Sequence, residues 1–500
     1  MKQIILISLF LINASILKSN NSILKEGNWI KIGITESGVY KVDLDFFKTH
    51  NLYDVSIDPN KIQIFGSGYN GPIPQLNSKS NLFQPVEIET SFIGNDDNHL
   101  DEGEYLFFYL QSSDKLLYDS INNLMTSKKN IYTDTAYYLL SYNSLENKSI
   151  INNDNITDYD SVSSHGNYFY HYENDRFSII QSGREWFGKI FSSGESYNIN
   201  LFEIQDESNI DLEISLVSRS TVESSFDLFF NDKSISLIDM DLIKEKIYGE
   251  KYKRKVENYS FNGTNNNNII TLRYNGLGSA ISYLDYIKLN TIIPLTYEKD
   301  QIKFYVKPSP ESKKIRYNIS SSSDIKVLDV SDPYNIHEHE VKKVDELNYY
   351  FVSDNQRYQN KIVFQPNSLK YPIFNNIINN ANVLDHNNPD LIIITSKEFV
   401  KQAMRIKDLR ESKDLLNVKV EIVDDIYNQF SSGNLDVSSI RNYIKYIYNS
   451  SSYNLKYVLL FGDCSYDYKD RLPNNTNFVP IYQSYNSSNN IYSFSSDDYY

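Results

Sequence analysis

The single cysteine of the chain, Cys464, is the residue whose type and position are best suited to nucleophilic chemistry. It follows Gly462 and Asp463 at the end of an apolar, strand-like run. A thiol nucleophile needs a base that converts it to thiolate, and none of the seven histidines lies after His386. We therefore predict that Cys464 is a small buried apolar residue. No catalytic, cofactor-binding or metal-ligating residue is assigned within this chain.

Three histidines invite a functional interpretation. His165 precedes Gly166 in a Ser-rich joint between strand-like segments, far in sequence from Cys464. His337 and His339 stand two residues apart and could share a metal ion, but the spacing nominates no third ligand. We therefore interpret this pair as surface histidines.

The stretch Gly66–Gly71 (GSGYNG) matches the pattern G-x-G-x-x-G after a strand-like segment. A dinucleotide site also requires that the last glycines open a helix whose N-terminus holds the pyrophosphate. Pro72 and Pro74 follow instead. The sequence therefore predicts a hairpin loop, with a cofactor site as the alternative.

An acidic stretch precedes the strand-like segment Tyr105–Tyr109. Its oxygen-bearing side chains belong to Asp96, Asp97, Asn98, Asp101, Glu102 and Glu104. Oxygen ligands at this density can bind calcium, although the spacing does not fit the twelve-residue EF-hand loop. A solvated turn is the main interpretation and calcium the alternative, and Asp497-Asp498 is ambiguous in the same way. No other cofactor is predicted.

Charge balance and cysteine count exclude several classes of protein. The 500 residues carry 49 Lys and Arg against 64 Asp and Glu, a formal net charge of −15. A broad nucleic-acid-binding surface is therefore not expected. One cysteine cannot form an internal disulfide or a cysteine-based zinc site. The 42 tyrosines favour half-buried strands.

The N-terminus has the order of a secretory signal. Lys2 precedes the apolar run Ile4–Ile12, which is too short to span a bilayer comfortably. Small residues follow, so cleavage is expected within 14–20, and range 1–19 is assigned as a signal peptide. A buried N-terminal strand is the alternative. The sequence therefore predicts an exported protein with no transmembrane segment after removal of the signal.

Residues from about 22 to 380 alternate between apolar and polar side chains in short runs. Clear examples are Trp29–Ile34, Gly38–Val42, Lys61–Phe65, Leu212–Leu216 and Phe226–Phe230. This pattern predicts antiparallel sheets packed as sandwiches. We divide the stretch into an N-terminal β-rich domain at 20–160, a β-sandwich domain at 165–295 and a small β domain at 298–380. Asn262-Gly263 and Asn275-Gly276 are predicted hairpin turns.

The pattern changes after Asn379. Leu391–Ile394, Val418–Ile422 and Tyr457–Phe461 are apolar runs separated by helical patterns. One helix is predicted to start from a capping box formed by Thr395 and Glu398, and the next from Asp436 as N-cap, with Ile440, Tyr443, Ile444 and Ile447 on one face. This order predicts a parallel sheet flanked by helices. Ligands bind such sheets beyond the carboxyl ends of the strands.

Several segments form a combined pattern. They are Asp390–Thr395, Ile426–Gly433, Lys456–Asp463 and Ser465–Lys469, and upstream Trp29–Ile32, Gly38–Tyr40, Gly183–Gly188 and Val330–Pro333. Together they resemble the gingipain-type cysteine peptidase family, most closely the N-terminal portion of its type IX secretion system sortase (PorU-like) branch.

This resemblance implies a caspase-like α/β/α peptidase domain with a Cys–His dyad. In the family the His lies in a Gly-His-Gly turn, and the Cys follows a later strand. Sortase members act at the outer membrane, where they cleave the C-terminal signal of cargo proteins and attach the product to a surface lipopolysaccharide. No Gly-His-Gly occurs in this chain, and Cys464 stands where the family usually carries a small residue. Ser496–Tyr500 resembles a family segment that precedes the dyad.

The predicted fold class is multidomain, with N-terminal antiparallel β-sandwich-type domains followed by the first part of a caspase-like α/β domain at 385–500. The expected function is that of an exported gingipain-family sortase at the outer membrane or cell surface. Its catalytic His and Cys are expected outside this chain, which is predicted to be truncated and inactive alone. Expected partners are protein substrates and secretion-system components, and no nucleic acid. The alternative is a secreted, non-catalytic β-sandwich protein for binding or adhesion.

Overall fold

The structure is a computed structural model. It describes residues 21–500 except 53–55, 77–82, 96, 143, 153–155, 245, 265–267, 298–299, 312 and 452–453. The predicted signal peptide at 1–19 and the candidate calcium ligand Asp96 therefore lie outside the described residues.

The N-terminal region builds two sheets that share one apolar core. Its elements are β1 (Asn28–Ile34), β2 (Gly38–Asp43), α1 (Leu44–Thr49), β3 (Gln63–Gly66), β4 (Val86–Ile88), β5 (Thr90–Ile93), β6 (Tyr105–Leu110), β7 (Lys115–Asp119), β8 (Leu124–Lys128), β9 (Ala136–Tyr142) and β10 (Ile151–Asn152). One of these sheets contains β1, β9, β3 and β4, and the other β2, β6 and β5, while β7 and β8 form a separate two-stranded sheet. Ile30, Ile32 and Ile34 of β1 are buried, as the alternation of the sequence predicts.

The next region is a β-sandwich. Its strands are β11 (Ser161–Ser163), β12 (His165–Glu173), β13 (Ile190–Phe191), β14 (Ser196–Asn200), β15 (Asn209–Ser218), β16 (Ser224–Phe230), β17 (Lys233–Asp239), β18 (Lys253–Asn262), β19 (Ile269–Gly276) and β20 (Ser282–Pro294). One sheet has the order β14-β19-β16-β17, and the other contains β12, β20, β15 and β18. Leu212, Ile214, Phe226 and Leu228 point inward from the two sheets and lie in one core.

The two Asn-Gly dipeptides are not hairpin turns, and that prediction is wrong. β18 pairs with β15, whereas β19 pairs with β14 and β16, so the chain changes sheets after each dipeptide. Neither Gly263 nor Gly276 has a positive φ, which a two-residue Asn-Gly hairpin requires. The dipeptides lie at the ends of strands, but they do not pair the strand before them with the strand after them.

The third region extends the sandwich rather than standing apart from it. Its strands are β21 (Ile302–Val306), β22 (Lys314–Ser320), β23 (Lys326–Asp329), β24 (His337–His339), β25 (Lys342–Lys343), β26 (Asn348–Asp354), β27 (Gln359–Phe364) and β28 (Ile373–Ile378). Strands β21, β27, β23 and β24 continue the sheet of β12 into a ten-stranded sheet, and β28 pairs with β1. Sheets thus cross the boundaries proposed from the sequence, and the division at 160, 298 and 380 stays a prediction.

The C-terminal region is a parallel sheet flanked by helices, as predicted. Its elements are β29 (Leu391–Thr395), α2 (Val400–Asp414), β30 (Val418–Ile422), α3 (Val423–Ser431), α4 (Val437–Ser450), β31 (Tyr457–Phe461), β32 (Tyr482–Gln483) and β33 (Ser495–Ser496). The parallel order is β30-β29-β31. Leu391 and Ile393 pack on the side of α2, and Ile392 and Ile394 pack on the side of α3 and α4. Short 3-10 turns lie at Ile23–Lys25, Pro59–Lys61, Pro366–Ser368, Lys397–Phe399 and Asp497–Tyr499.

The two predicted helix starts have different outcomes. Asp436 is the N-cap of α4, because its carboxylate accepts a hydrogen bond from the Ser438 backbone N–H at 2.8 Å. The capping box at Thr395 and Glu398 is wrong. Thr395 is still the last residue of β29, and a 3-10 turn separates it from α2, which begins at Val400 without a side-chain cap.

Candidate active site

The carboxyl ends of β29 and β31 are joined side by side. The Thr395 hydroxyl donates a hydrogen bond to the Phe461 carbonyl at 2.8 Å. Gly462 then allows a close approach, because a Cβ at this position would lie 2.8 Å from Cγ2 of Val479. This is the edge at which ligands of open parallel sheets bind.

Asp463 fixes the turn that follows. Its carbonyl accepts hydrogen bonds from the backbone N–H groups of Phe478 and Val479 at 2.9 and 3.1 Å. Its carboxylate accepts hydrogen bonds from the Cys464 N–H at 2.9 Å and the Thr476 hydroxyl at 2.7 Å. The acidic side chain therefore holds the loop in place.

Cys464 is exposed, so the prediction that it is buried is wrong. It lies three residues beyond the end of β31. Partial desolvation, followed by the nearby carboxylates of Asp463 and Asp497, raises the pKa of its thiol. No histidine among the described residues hydrogen-bonds to it. The thiol therefore stays protonated at neutral pH and lacks an activating base.

We expect Cys464 to be modified by a small thiol reagent in the folded chain and to support no peptide cleavage. The thiol is accessible, but its raised pKa keeps the thiolate fraction low, so modification should be slow at pH 7 and accelerate with pH. Absorbance of a released chromophore measures the rate, with Cys464→Ser as the unreactive control. Peptide turnover by this chain that disappears in Cys464→Ala would contradict the expectation.

His339 is buried, so its assignment to the surface is wrong. Its Nε2 lies 2.7 Å from Nζ of Lys361, itself a fully buried residue. Burial, followed by the charge of Lys361, lowers the pKa of His339 to about 3. His337 is half-buried on the same strand, and His165 is half-buried at the start of β12. The described residues contain no cluster of three His, Cys, Asp or Glu side chains placed to hold a metal ion.

The glycine-rich stretch Gly66–Gly71 is a loop, as predicted. It follows β3, which pairs antiparallel with β4, and the described residues between these strands contain no helix. Gly68 and Gly71 have φ values of 76° and 83°, which favour glycine. The Gly68 N–H donates to the Tyr334 hydroxyl at 2.8 Å. The loop is therefore held by the protein and presents no helix N-terminus to a phosphate.

The acidic stretch forms a turn organised by a carboxylate. Glu104 is buried, and its two oxygens accept hydrogen bonds from the backbone N–H groups of Asn95 at 2.7 Å and Asp101 at 3.1 Å. Asp97 similarly accepts one from the N–H of His99 at 3.0 Å. These carboxylates cap backbone groups of the turn, which favours the turn interpretation over calcium.

An arginine of the sandwich region holds the loop beyond β31. The Arg184 guanidinium lies 4.5 Å from the ring centre of Tyr482 and 4.4 Å from that of Tyr485, a double cation–π contact. Its Nη1 donates to Oε1 of Gln75 at 2.9 Å, and its backbone N–H donates to the Ser487 hydroxyl at 2.8 Å. The Gly183–Gly188 stretch thus fastens the candidate active-site loop to the β-rich region.

Trp186 forms a second set of aromatic and cation–π contacts between the sandwich region and the loop after β31. Its ring stacks on Tyr466 at 5.6 Å and 13°, and the Arg471 guanidinium lies 4.5 Å from its ring centre. Arg471 also pairs with Asp175 at 3.1 Å and Asp467 at 3.3 Å. Sequence reasoning missed these roles. The one available signal was a tryptophan, one of two in the chain, beside a glycine and an arginine.

The start of α4 makes a third set of contacts between the parallel-sheet region and the β-rich region. The buried Asp436 carboxylate accepts a hydrogen bond from the Ile73 N–H at 2.9 Å. Burial raises the pKa of Asp436 to about 6, and the hydrogen bonds from the backbone oppose this shift. Arg441 of the same helix donates to the Pro74 carbonyl at 3.0 Å and the Tyr499 hydroxyl at 2.9 Å. The parallel-sheet region is thus built onto the β-rich region.

Comparisons with known proteins agree with this architecture. Residues 384–500 match the sequence profile described as Peptidase family C25. A crystal structure of dimeric latent PorU from Porphyromonas gingivalis is similar over 96% of this chain, with 20% identity and a TM-score of 0.82. This chain spans 46% of the length of that chain. A crystal structure of the CBM36-1 domain of a multidomain xylanase from the hindgut metagenome of Trinervitermes trinervoides matches over 25% of this chain and 95% of that chain, with 13% identity and a TM-score of only 0.16. No match was found among curated proteins.

Proposed function

We propose that this gingipain-like chain, with its C25 match and its PorU-like fold, is the N-terminal portion of an exported cysteine peptidase. In this proposal the whole protein is a type IX secretion sortase that cleaves the C-terminal signals of cargo proteins. The chemistry is acyl transfer through a thioester, with a histidine as base and backbone N–H groups around the oxyanion.

The observation that carries the proposal is the C25 match over the region whose strand ends form the candidate site. Cys464 lacks a histidine partner, so we assign the dyad to a segment after Tyr500. The edge strand β31 supports this assignment. Tyr457 is 55% exposed and Val458 39% exposed, and an apolar edge without charged side chains suits pairing with a further strand.

The proposed location is the outer membrane or cell surface, and the proposed partners are protein substrates and secretion-system components. No helix in the described part of the chain is long and apolar enough to cross a membrane. Nucleic acid is not a proposed ligand, because the formal net charge is −15.

The test is to read the gene past the codon for Tyr500 and to produce the longer protein. We expect a Gly-His-Gly turn and a later strand ending in Cys downstream. Cleavage of a reporter that carries a C-terminal signal should fall to background when that Cys is replaced by Ala, whereas Cys464→Ala should retain activity. A stop codon after Tyr500 in several isolates, or activity that depends on Cys464, would contradict the proposal.

The second candidate is a secreted, non-catalytic binding or adhesion protein. It is favoured by one observation, namely that no histidine in the described part of the chain forms a hydrogen bond with the single cysteine, Cys464. The stop codon just described would make this the better assignment.

A further inference from the structure

A cavity of about 300 Å³ lies where the N-terminal region meets the ten-stranded sheet. Its walls include aromatic and apolar side chains such as Tyr109, Tyr305 and Met125. Glu36 and Lys303 also line it. Ligand sites are typically concave, mostly apolar and supplied with a few polar groups that fix orientation. The cavity lies outside the C25-matching region, so it is separate from the candidate active site.

Lys303 is the unusual member of this lining. It is half-buried on β21, opposite Ile362 of β27. Its ammonium makes no hydrogen bond or ion pair with any of the described residues. Desolvation lowers the pKa of Lys303, and the charge of Lys370 adds to this, while Glu36 and Asp300 oppose it from beyond ion-pair distance. A desolvated cation without a partner is costly.

Three other ionisable side chains of the cavity wall have partners within the protein, whereas Glu36 is exposed at its rim. Asp114 accepts a hydrogen bond from the Asn130 N–H at 2.9 Å and lies 3.6 Å from Lys129. Nδ1 of His171 lies 2.6 Å from the Ser127 hydroxyl, and its Nε2 lies 2.9 Å from a carboxylate oxygen of Glu173. Lys361, the other lysine of the lining, pairs with Asp329 at 3.1 Å. Lys303 is therefore the lysine of this wall whose charge the protein leaves unpaired.

We propose that this cavity binds a compact organic carboxylate, with Lys303 pairing to the carboxylate and the aromatic wall covering the apolar body. A single unpaired ammonium matches one negative charge. A phosphate group would bring up to two charges close to Glu36 and Asp114, so the cavity suits a carboxylate better.

The test compares 3-phenylpropionate with its neutral analogue 3-phenylpropionamide on the full chain, by calorimetry or ligand-observed NMR. The carboxylate should bind at least about tenfold more tightly than the amide, since a charge-assisted hydrogen bond is lost in the amide. Lys303→Met should lose about the same factor, and Lys303→Arg should retain binding. Lys307→Met is the matched control, because Lys307 follows on the same segment, is also half-buried and does not line the cavity.

Three outcomes would overturn the proposal. They are equal binding of the acid and the amide, no saturable binding of the acid up to its solubility limit, and unchanged binding by Lys303→Met. The comparison of acid and amide needs only the wild-type chain, so it remains decisive if a variant fails to fold.

Discussion

Replacing Lys361 with methionine is expected to lower the free energy of unfolding by about 3–5 kcal/mol, the usual cost of removing one partner of a buried ion pair. The Lys361 side chain is fully buried, and its Nζ lies 3.1 Å from Asp329 Oδ2 and 2.7 Å from His339 Nε2. Asp329 is 4% exposed. Methionine fills a similar volume but leaves this buried carboxylate with only the exposed Arg357, whose Nη2 lies 3.6 Å away. The cost arises mainly from that poorly compensated buried charge.

Denaturant unfolding monitored by circular dichroism measures the loss. Lys326→Met is the matched control, because Lys326 pairs with Glu338 in the same sheet but its side chain is 27% exposed, and such pairs contribute about 0–1 kcal/mol. The double variant Lys361→Met with Asp329→Leu should recover much of the loss, because no charge remains buried. Equal destabilisation by Lys361→Met and Lys326→Met would contradict the assignment.

The pH dependence of the free energy of unfolding also reports on Lys361. Burial lowers the pKa of Lys361 from 10.5 to about 8, although Asp329 opposes the shift. Between these values the unfolded chain binds the proton and the folded chain does not, so the stability contributed by this group rises with pH. The wild type should therefore gain stability relative to Lys361→Met between pH 8 and 10.5.

The periodicity of the sequence specified local elements but not their partners. Continuous apolar runs such as Leu391–Ile394 predicted buried parallel strands, and alternation predicted β1 and β15. Which strands pair depends on contacts distant in sequence. Trp29 of β1 is opposite Ile378 of β28, and no local pattern encodes that register. The same limit explains why sheets cross the proposed domain boundaries.

Whether His339 and Cys464 are buried also depends on the three-dimensional fold rather than on the neighbouring sequence. His339 looked exposed because its neighbours in sequence are charged, whereas its partner Lys361 lies two strands away in the sheet. Cys464 looked buried because its residue type favours burial, whereas its position in a turn held by Asp463 exposes it. The sequence alone does show that none of the seven histidines lies after His386.

Replacing Arg471 with methionine is expected to release the loop after β31 from the sandwich region. The Arg471 guanidinium joins Asp467 of its own loop to Asp175 of the sandwich, and covers Trp186. Asp467 is fully buried, and Asp175 is largely buried beside Glu173. Loss of the cation leaves the Asp467 carboxylate without an ion-pair partner and favours protonation of Asp175, so the docked state should lose about 3–5 kcal/mol. The stack of Trp186 on Tyr466 would then open to water.

Fluorescence reports this opening directly, because the chain has only two tryptophans. In a Trp29→Phe background, emission of Trp186 should shift to longer wavelength in Arg471→Met. Arg176→Met is the matched control, since Arg176 is adjacent to Asp175 but exposed. Unchanged Trp186 emission in Arg471→Met would show that the loop is held without this contact.

The pKa of Asp175 determines how the stability of this contact changes with pH. Burial, followed by repulsion from Glu173, raises the pKa of Asp175 from 3.8 to about 7, although Lys469 and Arg471 oppose this. The folded chain thus binds more protons than the unfolded chain between these values, so the stability that Asp175 contributes falls as pH rises from 3.8 to 7. Without Arg471 the pKa of Asp175 rises further, so the weakening should continue above pH 7 in the variant. A wild type and variant with the same pH profile of Trp186 emission would rule out Asp175 as the partner through which Arg471 acts.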